Sequence, residues 1–141
     1  MRKFLLTSVA VVAAGLVVVA VGAAGSYRGV EPVVVEGSPK CRDLGLGSST
    51  EVKFVSPVNG MSTGGIHLFV DTVDPLVGAL GWYVLNHENV QAVIAKGGPN
   101  ANVYRYPGGD FSDGLLTTPT NPKNGAPYGL GYVTFCYNLP A

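Results

Sequence analysis

Tyr83, Tyr104, Tyr106, Tyr128, Tyr132 and Tyr137, with the single Trp82, are the residues of this 141-residue chain best suited to recognition. Each pairs a flat apolar ring with a polar tip, and on one exposed face such rings form a platform for a sugar or a surface polymer. Trp82, Tyr104, Tyr106 and Tyr128 are the leading candidates for that surface. The competing reading is that Tyr and Trp favour strands and leave a wet polar end at the surface.

Charged chemistry is sparser. Asp110 and Asp113, within Gly108-Gly109-Asp110-Phe111-Ser112-Asp113-Gly114, resemble part of a calcium loop, which Asp71 and Asp74 would have to complete. The stretch lacks the later bidentate Glu, and Asp and Gly are also ordinary turn residues. No metal or cofactor is therefore expected. Lys96-Gly97-Gly98-Pro99 is phosphate-loop-like only in composition, because a phosphate loop needs its Lys after the glycines and a helix behind it. It reads as a hairpin connection in which Gly97 and Gly98 supply positive φ and Asn100 and Asn102 bond local backbone. His67 and His87 have no triad spacing, and there is no Gly-x-Ser-x-Gly elbow. A paired-carboxylate glycosidase site is equally unsupported. The chain reads as a non-enzymatic binding or surface-structural domain, with a small secreted hydrolase built around 107–127 as the alternative.

The elements that must position these residues are strands. Apolar residues make up 47% of the chain and charged ones 13%, with 20 Gly and 10 Pro, which argues against a helical bundle. Nine Lys+Arg balance nine Asp+Glu, so no basic excess points to nucleic acid. Short β-branched, aromatic or alternating runs recur at 33–35, 51–55, 66–70, 80–85, 90–95, 101–106 and 131–137, separated by Gly-, Pro- and Asn-rich turns such as Asn59-Gly60. Six to eight such strands make an all-β domain, an antiparallel β-sandwich or a barrel-like relative of one. Ser26 to Val30 reads as an exposed lead-in. Pro107 to Pro127 reads as a long surface excursion of the kind that carries function.

The N-terminus is a different material. Met1-Arg2-Lys3 is a positive start, 4–21 carries no charge, and small residues follow at Gly22-Ala23-Ala24-Gly25. That is the layout of a secretory signal peptide over 1–24, cut after Ala24 or, nearly as well, after Ala23. An uncleaved anchor is the alternative, since roughly 20 apolar residues suffice to span a bilayer. Cleavage leaves an extracellular domain of 25–141 with no further membrane contact and an unidentified extracellular ligand or surface polymer as its partner.

The mature chain keeps Cys41 and Cys136. Two cysteines near opposite ends of a small secreted domain point to a disulfide. Two buried thiols, or a zinc half-site with His67 and His87, are the alternatives, and the dispersed spacing favours neither.

Longer strings resemble an uncharacterised family of bacterial extracellular β-domains. They are 35–41, Glu51-Val52-Lys53-Phe54, 91–106 including Lys96-Gly97-Gly98-Pro99-Asn100-Ala101-Asn102, Gly114-Leu115, 121–130 and Phe135-Cys136-Tyr137. The resemblance covers nearly the whole mature chain. It implies a secreted β-domain with paired cysteines and brings no activity, ligand or catalytic residue with it. Where the family has Ser-His near the C-terminus, this chain has Gly131-Tyr132, so no role for that His transfers.

Processing is the first expected outcome. Mass spectrometry of exported protein should find a chain starting near Gly25. Full-length chain held in the membrane fraction, with nothing in the medium, would instead establish the anchor.

Overall fold

The structure, a computed structural model, describes residues 27–62, 79–84 and 89–138. Seven strands form two antiparallel sheets: β1 (Val33–Glu36), β2 (Thr50–Val55), β3 (Ala79–Tyr83), β4 (Asn89–Gly97), β5 (Asn100–Asp110), β6 (Ser112–Thr117) and β7 (Tyr132–Asn138). The larger sheet has the order β1-β5-β4-β7-β2, and β3 pairs β6 in the smaller one. It is open, with β1 and β2 at its edges, so the sandwich reading holds and the barrel one does not.

The sequence of β4 explains its central place. Val90 and Ala92 to Ala95 are all buried, which requires cover on both faces of the sheet. Successive side chains alternate between faces. Val93, Ala95, Tyr104, Tyr106, Val133, Phe135 and Phe54 join Leu80, Trp82 and Leu116 of the smaller sheet in one core. Ala92, Ile94, Ala101, Val103 and Cys136 form a second cluster on the opposite face, with Cys41. Within the first core Trp82 meets Tyr106 and Phe135 edge-on, each with ring centroids 5.5 Å apart, and Phe135 meets Phe54 at 5.6 Å. Such pairs add roughly 0.5–1.5 kcal/mol each beyond the area they bury.

A single 3-10 turn at Cys41–Leu44 covers the second cluster. Cys41 is bonded to Cys136 of β7, with Cα atoms 5.7 Å apart and a sequence separation of 95. The turn is held further by Cys41 N–H donating to Glu51 Oε2 at 2.8 Å and by Arg105 Nη1 donating to Leu44 O at 3.1 Å. Leu44 and Leu46 then pack down on the sheet.

The lead-in is exposed at 27–29 as expected, and it is also tied down, because Arg28 N–H donates to Asp113 Oδ1 at 2.8 Å and Val30 packs against the core. Two expectations need correction. Pro107 to Pro127 is not one irregular excursion: β5 runs to Asp110, and 112–117 is strand β6. In the β4–β5 turn only Gly98 has positive φ, at 65°. Gly97 is needed for close approach instead, since a Cβ there would lie 2.6 Å from Thr118 Cβ and 2.9 Å from Gly129 O. The expected strand at 66–70 lies outside the described residues.

Replacing both cysteines with alanine removes a cross-link over about 95 residues, worth roughly 4–5 kcal/mol on the chain-entropy account. At several degrees per kcal/mol for a domain of this size, the melting temperature should fall by about ten degrees or more, read by circular dichroism. A drop of about two degrees or less would mean that the sheet closes without the tie.

Candidate functional site

Alternation along β5 sends Asn102, Tyr104 and Tyr106 to the face that meets the smaller sheet, where all three are buried. Their polar tips end on β6. Asn102 Nδ2 donates to Thr117 O at 2.8 Å, Tyr104 Oη donates to the same carbonyl at 3.2 Å, and Thr117 N–H donates back to Tyr104 Oη at 2.8 Å. Tyr106 Oη donates to Asp113 Oδ2 at 2.6 Å. Asp113 Oδ1 accepts from the N–H groups of Arg28 and Gly114, each at 2.8 Å. A buried carboxylate thus receives three donors, which is how a charge is tolerated in a core.

The expected aromatic platform therefore does not exist as proposed. Trp82 is 0% exposed, Tyr104 4% and Tyr106 3%. Their hydroxyls face inward because the second sheet supplies partners there. The indole N–H of Trp82 is buried without a hydrogen-bond partner among the described residues. Tyr128 is only half-buried, but its ring lies over Gly98, where an added Cβ would come within 2.6 Å of it. With Thr118 Oγ1 donating to Tyr128 O, and Gly131 N–H donating to Lys96 O at 2.9 Å, the 118–131 segment laps over the β4–β5 turn. Within the Lys-Gly-Gly-Pro-Asn-Ala-Asn string, Gly97, Ala101 and Asn102 are thus packed against the fold, while Gly98 and Pro99 form the exposed turn.

The calcium candidates are likewise engaged. Asp113 has both oxygens bonded inside the protein, and Asp110 faces Arg28 Nη2 at 3.4 Å. No group of three or more His, Cys, Asp or Glu able to hold a metal occurs among the described residues. Asp71, Asp74, His67 and His87 lie outside them.

What remains open is the outer face of the large sheet around the disulfide-tied turn. Three clefts border that turn. One of about 110 Å3 lies between the 38–40 segment and the β2–β7 pair, lined by Ser38, Lys40, Glu51, Lys53, Tyr132 and Thr134. A second, about 240 Å3, shares Lys40 and Glu51 with it and adds Arg42. A third, about 280 Å3, lies past Leu46 against Gln91, Arg105 and Pro107. Lys53 Nζ stands 4.0 Å from the Tyr132 ring centroid, and Thr134, 3% exposed, forms part of the floor. Four of the seven Lys and Arg among the described residues line these clefts against one carboxylate, Glu51. Sequence reading missed this site because it exists only once Cys41 folds back onto β7. The in-register Lys53 and Thr134 of β2 and β7 were its one readable trace.

Compared with known protein families, curated proteins and solved structures, the chain matches none.

Burial pushes the Tyr106 phenol well above its ordinary value near 10, and the adjacent Asp113 carboxylate adds to the rise. Burial also raises Tyr104, against the hydrogen bonds from Thr117. Folded phenols that keep their protons longer than unfolded ones hold full stability below about pH 10 and lose it as pH climbs above that. Tyr106→Phe takes one donor from a buried carboxylate and should cost roughly 1.5–3 kcal/mol in urea unfolding at pH 7. It should also flatten the loss of stability above pH 10. A neutral substitution with an unchanged alkaline limb would show that Asp113 does not depend on this donor.

Proposed function

We propose that the protein is a secreted, non-enzymatic β-domain that holds an extracellular ligand or surface polymer on the face bearing its disulfide. The observation that carries this reading is the division of polar groups between the two faces. The inward one uses its hydroxyls and its carboxylate to fasten the sheets together. The outward one keeps clefts lined by cations, hydroxyls and a half-buried Tyr ring. Concave, partly polar clefts on a rigid sheet suit binding. An internal disulfide and a leader-like N-terminus accord with export.

A hydrolase around 107–127 would need a carboxylate free to act there. Asp110 and Asp113 already serve Arg28, Tyr106 and Gly114.

The test is an array of extracellular glycans and surface polymers probed with the purified protein. At least one polymer should be retained and come back with its chain length unchanged. Shortened product would establish the hydrolase instead, and retention of nothing would sink the binding reading.

A further inference from the structure

We infer that the ligand held by this face is an acidic polymer with repeated carboxylate or phosphodiester groups, one of which seats between Lys40 and Lys53. The inference rests on the binding reading and adds the ligand's chemistry. It begins from the pairing of charges. Arg28–Asp110 is the one ion pair among the described residues, and it lies away from this face. Lys40 and Lys53 therefore line the same cleft, and neither makes an ion pair with a carboxylate among the described residues.

The one acid in the cleft, Glu51, accepts the Cys41 N–H through Oε2, and its single negative charge is outnumbered by the two lysines of the lining. Asp43, on the turn itself, accepts the Lys40 backbone N–H at 2.8 Å. Lys53 is not free to swing at random, because its ammonium rests over the Tyr132 ring. A cation–π contact at an exposed site holds a side chain weakly, by about 0.5–1 kcal/mol, and leaves the ammonium's remaining donors available. Hydroxyl-bearing Ser38, Tyr132 and Thr134 complete the wall. Ammonium groups beside hydroxyls are the donor set that an oxyanion takes.

The cleft of about 110 Å3 shares Lys40 and Glu51 with the one of about 240 Å3 that Arg42 lines, and that one shares Leu46 with the cleft of about 280 Å3 beside Arg105, so the cations follow one another around the turn. Cations spaced around one turn suit a chain carrying repeated acidic groups better than a single small anion.

The experiment measures binding of the purified protein to polygalacturonate, to poly(glycerol phosphate), to neutral dextran and to duplex DNA. The carboxylate or the phosphodiester polymer should bind, and which of the two binds more tightly identifies the acid. Binding should weaken as salt rises. The Lys40→Gln/Lys53→Gln double variant should lose about tenfold or more in affinity, the equivalent of ~1.4 kcal/mol, with an unchanged melting temperature. Lys123→Gln, which lies on the exposed 118–131 segment away from the clefts, should bind as the parent does. Dextran bound as well as the acids, with the double variant unaffected, would overturn the inference and leave the binding reading standing. Equal losses in the double variant and Lys123→Gln, or DNA preferred to both acids, would also overturn it. No polymer bound at all would overturn both.

Discussion

The row of hydrogen bonds from β5 to β6 is the constraint on which the rest of the molecule depends. A two-stranded sheet has little chance of standing alone in water, and here it is fastened side chain by side chain. Asn102 and Tyr104 grip one residue of β6 and Tyr106 another. Apolar packing alone tolerates sliding, whereas these bonds fix the position of β6 along β5. Trp82, paired opposite Asp113 in β3, is thereby set edge-on to both Tyr106 and Phe135.

The disulfide does the corresponding work on the other face. A single short turn is a small cover for Ala92, Ile94, Ala101 and Val103, and without a tie nothing in so short an element would hold it there. Cys41–Cys136, the Glu51 carboxylate and the Arg105 guanidinium pin it from three strands at once. Because the turn stands proud of the sheet instead of merging with it, its rim is concave, and the clefts follow from that shape. The polar groups are thus divided between faces, with Asn102, Tyr104 and Tyr106 fastening the two sheets on the first and Lys40, Arg42 and Lys53 lining clefts on the second.

Much of the architecture was legible in the chain. The alternation at 51–55 marks a half-buried strand and the run at 90–95 a further apolar one, and both are strands in the fold, as β2 and β4. Strand β6 was not legible, because Ser112-Asp113-Gly114 has turn composition and the strand is bulged, with Leu115 in the left-handed region at φ 60°. Only the tertiary partner of Asp113 reveals why an acid sits in a strand core. The aromatic residues failed for a related reason. Asn102, Tyr104 and Tyr106 visibly share one side of β5, but Ala101 and Val103 on the other side are equally able to be buried. Which side meets a second sheet depends on contacts that sequence spacing does not contain.

The position of β7 has a consequence in time. It lies between β4 and β2 and carries the partner of Cys41, so the middle of the large sheet is filled by the last strand described. A ribosome delivers β1 to β6 first, and until β7 follows, β2 has no neighbour among the described strands and the early cysteine no mate. Pairings this distant in sequence form slowly. The β1–β5–β4 and β3–β6 pairings can therefore form early, while β2 and the Cys41 turn stay unfastened until β7 has been made.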